Sequence, residues 1–373
     1  MRGSAGDTIS NDVRRLIFPL SGKQASKIGH FRAGRGVPSQ AHAIELGETT
    51  MEAIIFSRCG TPDVLEVVDI PDRTPGDGEA LVRVLAASIN PSDVKNVAGA
   101  MSQTTLPRIP GRDFAGVVEA GPDGWIGAEV WGSGNAGFTF DGSHAQYMVV
   151  PVTALQRKPE TLSFEQAAAV GVNYLTAWRG LVEAGGFRSG ETLAIIGANG
   201  GVGSAVAQIA RHLSAAKIVG VDLSAPHPAN PAARATDIFI AGAADIAAAV
   251  RHALDGRGAD VVFDAVGGVM FRPSLACLAP KGRLIEISAT GQREVTFNIA
   301  DFYHNEGRIF GVDSLQLGLA AAGRVLEALR PGFESGAYQP AHIAATFSLS
   351  EAAAAYNAVA NGQAGRIVLR PQE

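Results

Sequence analysis

From Met51 to about residue 170, apolar and polar residues alternate over short runs closed by Gly, Pro or Asp. EALVRVLAASI, FAGVVEAG, GAEVWGSG and AQYMVVP fit half-buried strands, and MEAIIFSRCG reads as a first strand and its turn. An irregular, mostly β region is predicted there. From about 171 to 317 the pattern changes. Apolar runs of strand length (ETLAIIG, AKIVGVD, ADVVFDAVG, GRLIEIS) alternate with alanine-rich amphipathic stretches. That alternation predicts βαβ units, hence a parallel sheet covered by helices. Residues 318–373 return to helix in AAAGRVLEALR and EAAAAYNAVANG and finish on a strand, RIVLRP.

At one junction the pattern already carries chemistry. Leu193 to Ile196 form a buried strand, and Val206, Ile209, Ala210 and Leu213 fall at helical spacing, so a helix is predicted from about Val202. Between them lie Gly197, Asn199, Gly200, Gly201, Val202 and Gly203. Gly197 permits a sharp exit from the strand, Gly200 and Gly201 let a pyrophosphate approach the main chain, and Gly203 lets helix and strand pack closely. The open N–H groups and positive dipole end of the new helix call for an anion. The next strand ends at Asp222, nineteen residues beyond Gly203, about where a dinucleotide fold places the carboxylate that holds the adenosine ribose. That carboxylate repels a 2′-phosphate and favours NAD(H); the competing reading is that Asp222 caps the following turn. Arg234, in the proline-rich stretch APHPANPAARATD, leaves NADP(H) open.

Charge and cysteine usage narrow the rest. A net charge of −5 with both signs interspersed offers neither a basic stripe for nucleic acid nor a polybasic membrane patch. No apolar run reaches the roughly 18 residues of a membrane span. The two cysteines, Cys59 and Cys277, exclude a disulfide framework and a CxxC zinc knuckle, and the expected location is the reducing cytoplasm. Residues 1–50 are Ser-, Gly- and Arg-rich without sustained period, and are expected to be a poorly ordered extension. A transit peptide is the alternative, and Asp7, Asp12 and Pro38 fit it poorly.

The cofactor turn GANGGVG (197–203) resembles that of the medium-chain dehydrogenase/reductase superfamily. So do SINPSDVK (88–95), IPGRDFAGVV (109–118), GSHAQYMVVP (142–151), GVNYLTAWRGL (171–181), VVFDAVGG (261–268) and GRIVL (365–369), in the family's order. The resemblance implies an α/β chain. A GroES-like β-barrel catalytic domain would span 51–170 and 318–373, with a doubly wound Rossmann NAD(P)-binding domain over 171–317. The positions matching the catalytic zinc ligands of metal-dependent members are Asn90, Arg112 and Val172, and neither Val nor Arg can ligate. The structural zinc lobe is missing and the eight histidines do not pair at ligand spacing, so the protein is expected to be metal-free. It thus resembles the zinc-independent quinone oxidoreductases, with NPSD similar also to enoyl-thioester reductases.

On that resemblance the expected activity is hydride transfer from NAD(P)H to a small-molecule quinone or related conjugated carbonyl. The alternatives are reduction of a 2-enal, haloacrylate or enoyl-thioester C=C bond, or a relative that binds cofactor without catalysis. Asn90 is expected to meet the substrate carbonyl or the nicotinamide amide, and Ser92 and Lys95 to steady or protonate the oxyanion, with Asp93 a cap. Where quinone oxidoreductases often carry tyrosine this chain has Lys95, and Met101 stands nearest the proton-donating tyrosine of the enoyl-thioester branch. Thr176, Gly267, Ser288 and Arg366 match cofactor contacts, and Tyr174 either lines the pocket or packs. HNEGRIFGVDS resembles the edge strand through which relatives dimerise, so a homodimer is expected.

Overall fold

The computed structural model describes residues 49–373, within a compact unit running from Glu48 to Glu373. The extension expected before Met51 lies outside the described residues except for Thr49 and Thr50.

The chain opens with β1 (Thr50–Ile55) and β2 (Glu66–Pro71), an antiparallel pair. β3 (Glu79–Ile89), α1 (Pro91–Val97), β4 (Phe114–Ala120), β5 (Glu129–Gly132), β6 (Tyr147–Pro151) and β7 (Gln156–Arg157) follow, and then α2 (Phe164–Trp178). The second region runs β8 (Thr192–Ile196), α3 (Gly201–His212), β9 (Lys217–Asp222), α4 (Ala232–Ala235), β10 (Ile238–Ala241), α5 (Ile246–Ala253) and β11 (Ala259–Asp264). It continues through α6 (Phe271–Ala276), β12 (Leu278–Glu286), α7 (Ile299–His304) and β13 (Arg308–Gly311). α8 (Leu319–Glu334), β14 (Ile343–Phe347), α9 (Ala352–Ala360) and β15 (Arg366–Leu369) close the chain.

Two larger sheets result. β8 to β13 make a six-stranded parallel sheet in the order β10-β9-β8-β11-β12-β13. Numbered from β8, this is 3-2-1-4-5-6, the order of a doubly wound dinucleotide-binding sheet, whose switch point falls between β8 and β11. The other sheet has the order β14-β15-β3-β4-β5-β7 with β6 on β3, so the chain's last strands return to pair with its first long one. This is the expected fold class: an α/β chain with a GroES-like barrel beside a doubly wound sheet.

Helix α2 links the two. Ser163 caps it, its Oγ accepting the Gln166 N–H at 3.2 Å while Gln166 Oε1 accepts the Ser163 N–H at 3.0 Å. From Ala167 to Ala177 every residue is buried, because α2 packs on β3, β4 and β5 on one side and on α3 on the other. Its alanines permit that close double packing, and one apolar cluster runs from Trp131 through α2 to Ile195 and Phe263. The stretch before β10, rich in Pro226, Pro228 and Pro231, yields only the single turn α4. α3 begins one residue earlier than the periodicity suggests, at Gly201. β2 escaped the pattern because its residues are half-buried at best, and it is held by register with β1.

Candidate active site

The glycine turn lies at the carboxyl end of β8, at the switch point. Gly197 sits at φ +81°, which a side chain rarely adopts. A Cβ on Gly203 would collide with the Gly197 carbonyl oxygen, and one on Gly201 with the Asn173 amide. Gly200 differs: it is exposed, and an added Cβ would meet only the Gly197 oxygen, at 3.3 Å. The turn is therefore packed on its protein side and open where an anion would arrive, with Gly200 as an N-cap that carries no side chain over the first-turn N–H groups of α3.

Asn199 ties this turn to the end of β9. Its N–H donates to Asp222 Oδ2 at 2.9 Å, and its Nδ2 to the Ser224 carbonyl at 2.8 Å. Asp222 Oδ1 accepts the Leu223 N–H at 2.8 Å. Asp222 thus performs the capping role of the competing reading, while each carboxylate oxygen keeps a lone pair for a ribose hydroxyl. Asn199 Oδ1 is buried without a partner, an acceptor left for a donor on a bound molecule. Gly267, at φ +62°, lies against the Ser288 carbonyl, joining the ends of β11 and β12. Asp264 organises that corner, accepting the Val266 and Gly267 N–H groups at 2.9 and 2.7 Å and the Ser274 hydroxyl at 2.7 Å. Beside it Glu286 has a buried Oε1 without a partner, and burial together with Asp264 pushes its carboxyl up to about 8. Thr176 is buried one turn along α2 from Asn173. Tyr174 packs: its ring meets Phe333 and Tyr338, and its hydroxyl donates to the Gln339 carbonyl at 3.1 Å.

A second cluster gathers on Asp113, which is fully buried. Its Oδ2 accepts from Ser88 Oγ at 3.0 Å and Asn90 Nδ2 at 2.9 Å; its Oδ1 accepts from Ser133 Oγ and from the Val172 N–H of α2 at 3.0 Å. Asp113 was not singled out in the sequence; the only signal was a charged pair, Arg112-Asp113, set into an otherwise apolar strand pattern. Asn90 is 1% exposed, and its Oδ1 accepts from Arg366 Nη2 at 2.6 Å. Both ends of its amide thus make a bond within the protein, which leaves one Nδ2 proton and one Oδ1 lone pair for the expected substrate or nicotinamide contact. Arg366 is buried, and its Nη2 donates to Ser88 and Asn90 beside the charge of Asp113, while its Nε has no partner among the described residues. Asp93 caps α1, accepting the Asn90 N–H at 2.8 Å. Its other oxygen is buried without a partner, and burial raises the carboxyl to about 7.

Ser92 is half-buried at the start of α1, and its Oγ accepts from Arg112 Nη1 at 3.4 Å. Lys95, one turn on, is exposed and has no partner among the described residues. A cleft of about 1000 Å³ is lined by Ile109, Asn135, Phe140, Asp141, Leu319 and Arg324, among others, and by none of the residues of this cluster or of the glycine turn. Asn135 follows Gly134, whose carbonyl Arg112 holds at 2.6 Å.

The residues fit a dinucleotide: an open glycine turn on a helix N-terminus, a carboxylate at the end of β9 and an orphaned buried acceptor between them. They do not fit zinc at the positions where metal-dependent relatives hold it. Asn90 faces the Arg366 guanidinium, Arg112 is itself a cation, and Val172 offers only its N–H, to Asp113. Among the described residues no group of three His, Cys, Asp or Glu side chains is placed to hold a metal.

Comparison with known proteins agrees on the class, an oxidoreductase built on a catalytic barrel and a dinucleotide fold. Residues 76–160 match the alcohol dehydrogenase GroES-like domain family, and 201–322 the zinc-binding dehydrogenase family. A zinc-type alcohol dehydrogenase-like protein of Schizosaccharomyces pombe is 36% identical over 280 residues, 74% of this chain and 82% of its own. Human quinone oxidoreductase is 29% identical over 331 residues, 87% of this chain and 98% of its own. The crystal structure of an NAD-dependent alcohol dehydrogenase, 29% identical, superposes with a TM-score of 0.78 over 86% of this chain and 99% of that one. The chain belongs to the medium-chain dehydrogenase/reductase superfamily, in its quinone-oxidoreductase-like branch.

Proposed function

We propose that the protein is a zinc-independent reductase that passes hydride from NADH, in preference to NADPH, to a quinone or related conjugated carbonyl. One observation carries the reading: Asn90, Arg112 and Val172 stand where metal-dependent relatives have ligands, and none of them offers a metal a donor. Without a Lewis acid, carbonyl–alcohol interconversion loses its main electrophile, whereas quinones and enones delocalise the charge that hydride addition creates.

Residues 51–170 with 318–373 form the catalytic domain in this reading, and 171–317 the dinucleotide domain. The bound nicotinamide would supply the hydride. The chain's own residues hold and orient it: Gly197, Asn199, Gly200, Gly201, Val202 and Gly203 take the pyrophosphate, Asp222 the ribose, and Thr176, Gly267 and Ser288 the remainder. Asn90 and Arg366 hold the floor of the site rigid, and Ser92 faces the acceptor. A homodimer through the free edge of β13 accompanies the reading. Among the described residues no helix is long and apolar enough to cross a membrane.

The test is nicotinamide oxidation followed by absorbance, with NADH and NADPH in turn, 1,4-benzoquinone as acceptor, and a chelator present or absent. Chelator-insensitive turnover that favours NADH is expected. Turnover abolished by the chelator and restored by zinc would overturn the reading.

A further inference from the structure

Among the described residues, Arg112 is the largest buried charged side chain without an ion pair. It is 1% exposed, yet its three hydrogen bonds all go to neutral oxygens: Gly134 O at 2.6 Å, Ser314 Oγ at 3.2 Å and Ser92 Oγ at 3.4 Å. Other sequestered arginines are provided for. Arg283 pairs with Glu191 at 2.5 Å, Arg108 with Asp141 at 2.8 Å, and Arg366 lies 4.0 Å from Asp113. Asp113, Asp93 and Asp313 act on Arg112 only through space, and burial pulls its pKa down. A buried guanidinium lacking a counter-ion is costly and draws negative charge toward itself.

Its position says where that charge comes from. Arg112 stands at a metal-ligand position of the superfamily and bridges Ser92, at the start of α1, to Ser314, just beyond β13. Ser92 Oγ accepts from Nη1 and its own O–H has no acceptor among the described residues, so this half-buried hydroxyl is left free to donate. A hydroxyl backed by a buried cation is a stronger donor to an oxyanion than a hydroxyl alone.

We propose that Arg112, acting through Ser92, replaces the metal as the electrophile of the reaction. The inference rests on the conjugated-carbonyl reading above. Hydride, with its two electrons, bonds to the acceptor carbon from a reduced nicotinamide, which leaves oxidised. The conjugated π pair shifts onto the carbonyl oxygen. That oxygen, now an enolate or hydroquinone anion, accepts from Ser92 Oγ–H, and the Arg112 charge behind the serine balances it. No proton moves in this step; solvent protonates the oxyanion afterwards. Ser92 is the catalytic residue and Arg112 its positioning and charging partner. The acceptors best served are those whose oxyanion is most basic, since they gain most from the added charge.

Two readouts test this. In the first, Ser92→Ala, Arg112→Met and Arg112→Lys are compared with the native protein in kcat and KM on 1,4-benzoquinone and on 2-hexenal. NADH binding is followed separately by quenching of protein fluorescence. The expected result is a loss of about 100-fold in kcat for Ser92→Ala and Arg112→Met, larger on the enal than on the quinone, with NADH binding unchanged and partial recovery in Arg112→Lys. In the second, which needs no turnover, 4-nitrophenol is titrated by absorbance in the presence of each protein. The native site lowers the pKa of the bound phenol, and Ser92→Ala and Arg112→Met return it to the free value. Should Arg112→Met fail to fold, Ser92→Ala and Arg112→Lys still decide. Variants that bind NADH and match the native protein in both readouts overturn the proposal. A native protein that shifts the phenol through Arg112 but reduces neither acceptor keeps the oxyanion site and sinks the conjugated-carbonyl reading instead.

Discussion

Arg366 Nη2 donates to Asn90 Oδ1 over 2.6 Å, fastening the chain's last strand to the N-cap of its first helix. The same Nη2 reaches Ser88 Oγ at 2.9 Å and lies 4.0 Å from Asp113 Oδ2, which is wholly buried. Removing the guanidinium leaves Asp113 without its nearest paired cation and Asn90 Oδ1 without its donor. Arg366→Met is expected to destabilise the protein by about 3 kcal/mol, the scale for breaking a buried ion pair on one side. Arg366→Lys loses less, because it restores charge but not the fork. Denaturant unfolding of the three proteins checks this; equal midpoints would show that the cluster contributes nothing to stability.

Gly200 offers a clean test of anion docking. The position is exposed, its φ is −68°, and a Cβ there meets only the Gly197 oxygen at 3.3 Å. Gly200→Asp therefore folds, and puts a negative charge at the positive end of α3. Loss of NADH binding with an unchanged melting temperature is expected, measured by fluorescence titration beside calorimetry. Tight binding by the variant would remove the turn from the cofactor site.

The contrast between these two sites shows what could be read from the chain. The glycine turn was legible because it is local: a strand, bare backbone and a helix within a few residues, with Asp222 at the end of the next strand. β3 was legible in full, Glu79–Ile89, since its alternation matches its burial. The Asp113 cluster was not legible. Its members come from β3, the loops after β3 and β5, α2 and β15, and no periodicity joins Ser88 to Ser133, Val172 and Arg366. Family resemblance pointed to Asn90 and Arg366 because it matches positions, but it carried no sign that both side chains also bond around the charge of Asp113. Ser92 and Arg112 show the converse: residues read as a hydroxyl and a failed ligand become a pair only once folding brings them together.

Two buried groups give opposite pH slopes. His144 is fully buried, with Nδ1 against the Tyr356 hydroxyl at 2.9 Å and Nε2 3.3 Å from the Ser88 carbonyl, and burial lowers its pKa from 6.5 to about 4. Between those values the unfolded chain binds more protons, so stability is lost as pH falls from 6.5 toward 4. The loss is about 3 kcal/mol at the lower end. Because Glu286 and Asp93 slope the other way in the same range, the fall is read as a difference: urea unfolding of the native protein and of His144→Asn at a series of pH values should show the native protein losing stability relative to the variant as pH drops from 6.5 toward 4. A difference that does not change with pH would mean that His144 titrates in the folded state as it does in water.

Glu286 runs the other way. Its folded pKa is raised from 4.5 to about 8 by burial and by Asp264, so the folded chain holds the extra proton between those values and stability falls as pH rises through them. Glu286→Gln removes this slope. Discounted for the group's partial exposure, the variant gains roughly 1 to 2 kcal/mol over the native protein at pH above 8 and little near pH 4.5. A difference independent of pH would place the carboxylate in solvent.

A substitution can separate the turn-holding role of Asp222 from its proposed cofactor role. Its Oδ2 and Oδ1 accept the Asn199 and Leu223 N–H groups at 2.9 and 2.8 Å, so part of its work is to hold the turn. In the proposed function the remaining lone pairs take the adenosine ribose, where a 2′-phosphate would meet this carboxylate at close range. Asp222→Asn keeps one acceptor oxygen and removes the charge. If the charge selects the cofactor, kcat/KM for NADH falls while that for NADPH rises, and their ratio moves by tenfold or more, about 1.4 kcal/mol. Ser224→Arg on the same background should widen the change, because it adds a cation where Leu223, Ser224 and Ala225 now supply none. A ratio that stays fixed in both variants, with both cofactors weakened alike, would leave Asp222 as the cap of its turn and nothing more.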